Sequence, residues 1–307
     1  MPERSHHFDT DMMRRAIRLA MRGRGRVESN PMVACVLVKG NRIIGEGFHE
    51  KFGGPHAEPT ALAACMESPE GATAYVTLEP CCHTNKKTPP CVPKLIEAKV
   101  ARVVVGSVDP NPDVNGQGLD QLRAAGITVE CGVMGEEAKQ LLAPFIAGIV
   151  YDRPYVTLKW AESADGKVAG PRGRRTQIGN ERSNRAVHAL RGRCDAIVVG
   201  SNTVITDDPL LTARGVDSSR RLIRVVLDAG LRIPLASKLV RTARDHRTFV
   251  FFAADLMDAN RNKLLALRDN SVEPVAAEVG QHGLKLETIL ISLADFGVTH
   301  ALVESGP

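Results

Sequence analysis

The spacing of apolar and polar positions predicts alternating helices and strands along the whole chain. Residues 9–22 repeat apolar side chains at helical spacing, and Asp9 is expected to cap that helix. Residues 32–38 and 42–48 are typical of two strands joined by a hairpin turn. Further strands are predicted at residues 74–78, 103–105, 127–131, 155–160, 196–199, 223–227 and 248–252. Because helical segments separate these strands, the pattern indicates layered α/β domains.

A boundary between two domains is predicted near residues 148–154. A helical pattern over residues 136–149 ends there, and a new strand begins at Tyr155. A chain of 307 residues also suits two domains, since a domain averages about 150 residues. We therefore expect domains at residues 1–150 and 151–307.

The composition is that of an ordinary globular protein, with 43% hydrophobic and 24% charged residues. No apolar run approaches the ~18 residues of a membrane helix, and the N-terminus lacks the apolar core of a secretory signal. The seven cysteines are an odd number for a disulfide framework, which favours a reduced, cytoplasmic protein. Four of the cysteines are expected to be buried in the core: Cys35, Cys65, Cys131 and Cys194.

The net charge of +5 lies entirely in the second half of the chain. Residues 1–150 carry 17 basic and 17 acidic side chains, whereas residues 151–307 carry 23 and 18. Arginines are concentrated between Arg172 and Arg193, and a guanidinium group suits phosphate. A phosphorylated ligand or a solvated helix face would each explain them. Nucleic acid is disfavoured as a partner, because only 4% of the residues are aromatic and could stack on bases.

The strongest chemical pattern in the chain combines His56, Glu58, Cys81 and Cys91. One histidine and two thiolates give three ligands for zinc, and a catalytic zinc site keeps its fourth tetrahedral position open for water. Glu58 lies two residues beyond His56, so it can reach such a water and move its proton without being a ligand. This arrangement is that of zinc-dependent nucleobase deaminases. A structural zinc site is the alternative. Two neighbouring side chains are alternative ligands, Cys82 and His83.

Five short runs in the first half form a recognisable set. They are Ser29-Asn30-Pro31-Met32-Val33-Ala34, His56-Ala57-Glu58, Pro80-Cys81-Cys82-His83, Thr88-Pro89-Pro90-Cys91 and Asp109-Pro110-Asn111-Pro112. This half resembles the deaminase domain of the bifunctional riboflavin-biosynthesis deaminase/reductase family, rather than cytidine and tRNA adenosine deaminases with their tight P-C-x-x-C. The family's loop is usually one residue shorter, and Cys82 as a ligand would restore its spacing. The resemblance implies a cytidine-deaminase-like three-layer domain, in which Asn30 and Lys87 contact the substrate.

A second set of runs covers residues 153–306. It comprises Arg153-Pro154-Tyr155-Val156-Thr157-Leu158-Lys159, Ser163-Ala164-Asp165-Gly166-Lys167, Gly200, Thr203, Asp207-Asp208-Pro209-Leu210-Leu211-Thr212, Arg214, Val226-Leu227-Asp228 and Val303-Glu304-Ser305-Gly306. These runs resemble the reductase half of the same family, which has a dihydrofolate-reductase-like α/β fold. By that resemblance four residues would hold the phosphoribosyl substrate: Arg191, Leu211, Arg214 and Glu304. Five would line the NADPH site: Ala161, Gln177, Thr203, Asp207 and Gly306.

Three departures from the family pattern occur in this half. Residues 173–178 replace the family's G-x-S-x-W-I run, and Ser305 replaces the second glycine of V-E-G-G. The chain stops at Pro307, where the family continues through a glycine-rich cofactor loop, a helix and a strand. A reductase domain truncated at its C-terminus, with weak NADPH binding and poor turnover, is therefore expected. No Rossmann site is predicted, because Gly116-Gln117-Gly118 lacks the third glycine of that fingerprint.

Together the resemblances imply a bifunctional enzyme of riboflavin biosynthesis that uses zinc and NADPH. Its first domain would hydrolyse 2,5-diamino-6-(5-phosphoribosylamino)pyrimidin-4-one to 5-amino-6-(5-phosphoribosylamino)uracil, and its second would reduce the ribosyl group to ribityl. A homo-oligomer is expected, without a nucleic-acid or membrane partner. One alternative is a zinc deaminase of another base with a non-functional appended domain. Another is a non-catalytic, zinc-stabilised binding protein, which the presence of Glu58 disfavours.

Overall fold

In the computed structural model the chain folds as two compact units, Met1–Tyr151 and Asp152–Pro307. The structure describes residues 3–84, 88–168, 170, 176–216 and 222–304, apart from the side chains of residues 3–6. Two of the predicted site residues, Lys87 and Gly306, lie outside the described residues.

Helices and strands alternate throughout the first unit. Its strands are β1 (Ala34–Lys39), β2 (Arg42–Phe48), β3 (Thr73–Leu78), β4 (Arg102–Ser107) and β5 (Thr128–Cys131). Its helices are α1 (Glu3–Ala20), α2 (Ala57–Ala63), α3 (Cys91–Glu97), α4 (Gln117–Ala124) and α5 (Gly135–Tyr151). The strands lie in the order β2-β1-β3-β4-β5, antiparallel between β1 and both its neighbours and parallel from β3 to β5. The predicted hairpin is confirmed, with a two-residue turn between Lys39 and Arg42.

Helices cover both faces of this first sheet. A strand turns successive side chains to opposite faces, so β1 contributes side chains to two separate cores. On β1, Cys35 and Leu37 pack in a core that contains residues of α2, α3 and α4. Ala34 and Val36 pack on the other side, with residues of α1 and α5. The unit is therefore the three-layer α/β domain that the sequence resemblance implied.

Two glycines on β2 let α2 lie unusually close to the sheet. A Cβ atom on Gly47 would lie 2.3 Å from the backbone nitrogen of Ala61, and one on Gly45 would lie 2.6 Å from the Ala61 carbonyl oxygen. Any larger residue would push the helix away from the strand. Since α2 begins next to His56 and carries Glu58 in its first turn, this close packing determines where both side chains lie.

The prediction that Asp9 caps the first helix is wrong. The helix begins at Glu3, and Asp9 lies inside it with 2% of its surface exposed. Its carboxylate accepts a hydrogen bond from the Tyr75 hydroxyl at 2.6 Å and forms a bidentate ion pair with Arg102 at 2.9 and 2.7 Å. These partners are 66 and 93 residues away in sequence, so local capping rules could not identify them.

Only two of the four cysteines predicted to be core residues are buried. Cys35 and Cys194 are buried, but Cys65 is half-buried and Cys131 is exposed. Cys131 ends β5, a strand at the edge of the sheet whose side chains are largely exposed. An edge strand is covered less completely than a central one, so an apolar residue type does not imply burial there.

The second unit is built on a parallel sheet. Its strands are β6 (Tyr155–Lys159), β7 (Ala196–Gly200), β8 (Ile223–Leu227), β9 (Thr248–Ala253), β10 (Val272–Ala277), β11 (Val279–Gly280), β12 (Gly283–Leu284) and β13 (His300–Glu304). Its helices are α6 (Glu181–Arg191), α7 (Ser201–Asp207), α8 (Lys238–Arg241), α9 (Arg261–Asp269) and α10 (Leu286–Asp295). Six strands lie in the order β10-β9-β8-β7-β13-β6 and every pairing among them is parallel. Strands β11 and β12 form a separate antiparallel ribbon.

The parallel sheet determines where this unit can bind a ligand. Residues of α7, α8 and α9 pack on one face together with Val226 and Phe252, and residues of α10 pack on the other with Val225 and Phe251. Both faces are thus covered. The carboxyl ends of parallel strands meet at one edge of a sheet, which is where ligands bind in open α/β folds.

Candidate active sites

Three metal-ligating side chains converge at the carboxyl end of β3 in the first unit. The Nδ1 atom of His56 lies 3.5 Å from the Cys81 sulfur and 3.4 Å from the Cys91 sulfur, and the three ligand atoms all lie within 4.8 Å of one another. Helix α3 holds the two cysteines together, because the Cys81 carbonyl accepts hydrogen bonds from the backbone N–H groups of Cys91 and Val92. Such a contact satisfies donors that every helix leaves unpaired at its start.

The histidine ring is oriented by Thr88, a residue of one of the recognised runs to which the sequence analysis gave no role of its own. Its other nitrogen, Nε2, lies 3.0 Å from the Thr88 hydroxyl. A proton on Nε2 leaves Nδ1 as the lone-pair nitrogen that faces the two sulfurs, and a hydrogen bond on the remote nitrogen is how proteins orient a metal-binding histidine. One imidazole nitrogen and two thiols are a donor set that zinc prefers, with one tetrahedral position left over.

Glu58 is a buried carboxyl group beside this cluster. Only 2% of its surface is exposed, and its Oε2 atom has no hydrogen-bond partner among the described residues. Burial, together with the neighbouring Cys81 thiol, raises the pKa of Glu58 above its usual value. A carboxyl group with a raised pKa holds a proton more readily than an ordinary one, which suits a residue that must accept and then release a proton in acid–base catalysis.

The alternative ligands do not join the cluster. The Cys82 sulfur lies 4.0 Å from the Asp113 carbonyl oxygen, and the side chain packs against the core that contains residues of α2, α3 and α4. His83 lines the cavity but does not belong to the group of converging ligand atoms. The structure therefore brings Cys81 to His56 and Cys91, although Cys82 would match the loop length of the family.

The cluster opens into a cavity of about 260 Å³. Its walls are largely apolar, with contributions from Pro31, Val33, Phe52, Leu78, Val114 and Phe145. Asn30, a predicted substrate contact, also lines it and lies with its Nδ2 atom 3.1 Å from Nε2 of His49. Nδ1 of His49 lies 2.8 Å from the Pro55 carbonyl oxygen, and burial lowers the pKa of His49. A neutral His49 thus donates to Pro55 and accepts from Asn30.

Glu79 holds the loops that surround the metal cluster. It is 3% exposed, and its two oxygens accept hydrogen bonds from four backbone N–H groups at 2.9–3.4 Å. The donors are Asp109, Gly116, Gly118 and Leu119. Because Glu79 lies two residues before Cys81, these contacts connect the segment bearing that cysteine to the start of α4.

A second cavity, of about 850 Å³, lies in the second unit at the carboxyl ends of β6, β7 and β13. Every described residue that was predicted to bind substrate or NADPH in this half lines it. These residues are Ala161, Gln177, Arg191, Thr203, Asp207, Leu211, Arg214 and Glu304. They come from distant parts of the sequence, and the parallel sheet is what brings them to one place.

Two of these residues form an ion pair within the cavity wall. Nε and Nη2 of Arg191 donate to the two carboxylate oxygens of Glu304 at 2.6 and 2.7 Å, and both side chains are nearly buried. Nη1 of Arg191 donates to the Thr212 carbonyl at 3.2 Å. All three guanidinium nitrogens of Arg191 therefore donate hydrogen bonds. The exposed Arg214 hydrogen-bonds, among the described residues, only to His188.

Comparisons with known proteins assign a family to each of the two units. Residues 6–107 match the family model of the cytidine and deoxycytidylate deaminase zinc-binding region, and residues 154–307 match that of the RibD C-terminal domain. The riboflavin biosynthesis protein RibD of Aquifex aeolicus is 40% identical over 300 residues, which cover 98% of this chain and 81% of that protein. RibD of Actinobacillus pleuropneumoniae is 41% identical over 298 residues, or 97% of this chain and 78% of that protein.

Solved structures show the same relationship. The diaminohydroxyphosphoribosylaminopyrimidine deaminase/5-amino-6-(5-phosphoribosylamino)uracil reductase of Thermotoga maritima has a TM-score of 0.84 and 38% identity, covering 98% of this chain and 82% of that one. RibD of Acinetobacter baumannii has a TM-score of 0.78 and 36% identity, covering 98% and 81%. With both family regions present and relatives of this identity along nearly its whole length, the chain belongs to the RibD family of bifunctional riboflavin-biosynthesis deaminase/reductases.

Proposed function

We propose that the chain catalyses two successive reactions of riboflavin biosynthesis, deamination in the unit Met1–Tyr151 and reduction in the unit Asp152–Pro307. The substrates are those named for the Thermotoga maritima enzyme. The observation that carries the proposal is the buried Glu58 carboxyl beside the convergent His56, Cys81 and Cys91. A binding protein with a structural zinc site would gain nothing from that carboxyl group.

Deamination replaces the 2-amino group of the diaminopyrimidinone by a carbonyl oxygen, with water consumed and ammonia released. His56, Cys81 and Cys91 would hold zinc, which when bound supplies Lewis-acid activation of the attacking water. Glu58 takes one proton from that water and passes it to the ring nitrogen next to C2. It then moves the remaining proton from the new hydroxyl group to the departing amine, so the carbonyl forms, ammonia leaves and the carboxyl group returns to its starting state. Asn30 would orient the pyrimidine, since its amide lies in the cavity wall and is itself held by His49. The apolar walls exclude bulk water from the proton transfer.

The second cavity suits the reduction of the ribosyl group to ribityl. NADPH, when bound, supplies the hydride for this reaction. The cavity is large and polar. Besides Arg191, which pairs with Glu304, three lysine or arginine side chains line it: Lys159, Arg214 and Lys238. Cations at the carboxyl edge of a parallel sheet suit two phosphate-bearing ligands, because charge-assisted hydrogen bonds to phosphate are strong. In this proposal Glu304, held by Arg191, faces the phosphoribosyl substrate together with Leu211 and Arg214. The cofactor contacts are proposed for Ala161, Gln177, Thr203 and Asp207.

The proposal is tested with purified, zinc-loaded protein and two substrates. Ammonia release is measured from the phosphoribosylated diaminopyrimidinone and from cytidine, and NADPH oxidation is then followed on the deaminated product. We expect rapid turnover of the diaminopyrimidinone, none of cytidine, and NADPH oxidation that requires the deaminated product. Preferential turnover of cytidine would contradict the substrate assignment, and absence of both deaminations would contradict the catalytic role of the first cavity.

Two other expectations stay predictions, the homo-oligomeric state and the cytoplasmic location. Among the residues that the structure describes, no helix is both long enough and apolar enough to span a bilayer. Sedimentation of the purified protein would determine the oligomeric state.

A further inference from the structure

Arg224 is a charged side chain in the interior of the second unit. It lies on β8, and its exposed surface is 0%. Burial lowers the pKa of Arg224 to about 10, which still leaves the guanidinium charged at neutral pH. A buried charge is costly unless its hydrogen-bonding groups are satisfied. Among the described residues, no carboxylate forms an ion pair with this one, so its charge must be accommodated by other acceptors.

Neutral oxygen atoms from three separate segments surround the guanidinium. Nε and Nη2 donate to the Thr248 hydroxyl at 3.0 and 2.7 Å. Nη2 also donates to the carbonyls of Leu239 and His246, both at 3.0 Å. Nη1 donates to the Thr242 hydroxyl at 2.8 Å and to the Leu210 carbonyl at 3.3 Å. The side chain therefore connects the start of β9, helix α8 with its C-terminal end, and the segment at residues 207–212.

The segment at residues 207–212 forms part of the wall of the second cavity. Its backbone adopts an unfavourable conformation, because Asp208 and Leu211 have φ angles of +41° and +48°, a region that residues with a Cβ atom rarely occupy. Such a conformation persists only where the surroundings impose it. Besides the hydrogen bond from Arg191 to the Thr212 carbonyl, two hydrogen bonds from outside the segment do so. Arg224 donates to the Leu210 carbonyl, and the backbone N–H of Lys238 donates to the Asp208 carboxylate at 2.7 Å.

We propose that Arg224 is a positioning residue for the second cavity, because its guanidinium holds the 207–212 segment in the conformation that places Asp207 and Leu211 at the ligand. Arg224 itself does not line the cavity. The inference rests on the proposed function only in treating the cavity as the reductase site. The conformation of the segment can be measured without any substrate, so failure of the one proposal is distinguishable from failure of the other.

The test compares Arg224→Met with Arg247→Met in the full-length protein. Methionine keeps much of the apolar volume of arginine and removes all of its donors. Arg247 is the matched control, because it is half-exposed, pairs with Glu273 and stacks on Phe249, and does not line the cavity. Amide hydrogen exchange is measured by peptide over residues 207–212, with β7 as an internal reference. NADPH oxidation and deamination are measured on the same samples.

For Arg224→Met we expect exchange in residues 207–212 to accelerate by at least about tenfold, as expected when a hydrogen bond from a charged donor is lost. Reductase kcat/KM should fall by about tenfold, mainly through KM, since the residue acts on cavity shape rather than on the reacting atoms. Deamination should stay within about twofold, because the first unit has its own core. Arg247→Met should leave all three quantities unchanged.

A second variant decides the matter if Arg224→Met does not fold. Thr242→Val removes one of the two acceptors of Nη1 at a half-buried site, and it should accelerate exchange in the segment and raise KM by about threefold. Unchanged exchange and unchanged KM in the folded variants would overturn the proposal. Faster exchange with normal reductase kinetics would also overturn it, because the segment would then not need to be held. If the wild-type protein oxidises no NADPH, the proposed function fails and the exchange data alone decide the role of Arg224.

Discussion

The two cavities use buried charges of opposite sign to hold the loops around them. Beside the first cavity, the Glu79 carboxylate accepts hydrogen bonds from four backbone N–H groups. In the second unit, the Arg224 guanidinium donates to three backbone carbonyls and two hydroxyls. Buried backbone groups must find partners. The sign of each buried charge therefore matches the backbone groups that its loops leave unpaired, donors in the first unit and acceptors in the second.

The cavities also differ in size and in how their residues are gathered. The first is about 260 Å³, and its reactive side chains all lie between His56 and Cys91. The second is about 850 Å³ and draws on residues from Lys159 to Glu304. A small, largely apolar cavity suits a pyrimidine ring and a proton transfer, whereas a large polar one has room for a phosphoribosyl substrate and a dinucleotide cofactor together. Variants that disable one site and spare the other therefore test this comparison.

The largest effect is expected from Cys91→Ser. A serine hydroxyl is a far weaker zinc ligand than a thiolate, so the variant should lose zinc and its deamination rate should fall by more than about 100-fold. Zinc content is measured by elemental analysis of the purified protein, and the rate by ammonia release. Cys82→Ser is the matched control and should retain both. Full zinc retention by Cys91→Ser, or zinc loss by Cys82→Ser, would show that the ligand set is assigned incorrectly.

Glu79→Gln is expected to have the next largest effect. The amide has only one accepting oxygen, and its NH₂ group would face N–H donors that now lack a partner. The free energy of unfolding of the first unit should fall by about 2–3 kcal/mol. Chemical denaturation followed by circular dichroism measures this loss. Glu97→Gln, an exposed change on α3, should lower the free energy of unfolding only slightly. An equal loss of stability in the two variants would contradict the role assigned to Glu79.

Glu304→Gln should impair reduction by a smaller factor. It removes the negative charge from a nearly buried pair with Arg191, and the uncompensated guanidinium then disturbs the cavity wall. We expect reductase kcat/KM to fall by about tenfold with deamination unaffected. Glu273→Gln is the control, since its ion pair with Arg247 is half-exposed. Normal reduction by Glu304→Gln would mean that the pair lies outside the reductase site.

The smallest effect concerns pH and His188. Burial, with Arg191 and Arg214 nearby, lowers the pKa of His188 in the folded protein. The unfolded chain then binds a proton more readily than the folded one, so stability declines as the pH falls through the ordinary histidine range. Between pH 7.5 and 5.5 the wild type should therefore lose slightly more stability than His188→Gln. If denaturation measurements show that the wild type and His188→Gln lose the same amount of stability between the two pH values, the lowered pKa is contradicted.

The sequence predicted the first site in greater detail than the second. His56, Glu58, Cys81 and Cys91 lie in short runs whose chemistry is recognisable by itself, and the structure brings them together. The choice between Cys81 and Cys82 stayed open because both follow Pro80. It depends on which carbonyl meets the start of α3, a matter of backbone geometry that residue types do not express.

Contacts between distant residues account for what the sequence analysis missed. Arg191 and Glu304 are 113 residues apart, and each was assigned to the substrate without any sign that they pair. His49 opens a short polar stretch after β2, with no neighbouring motif to mark it. Arg224 occupies a position in a β-branched run where the pattern predicts an ordinary strand, and only its surroundings show why a charge is tolerated there.

The most direct test of the two-site account is to measure both activities of Glu58→Gln on one zinc-loaded sample. Glutamine preserves the size of the side chain but cannot carry the proton, so deamination should fall by at least about 100-fold while zinc content stays normal. NADPH oxidation should proceed at the wild-type rate when the deaminated product is supplied, and should stop when only the diaminopyrimidinone is supplied. Near-normal deamination, or a parallel loss of NADPH oxidation on the deaminated product, would contradict the account.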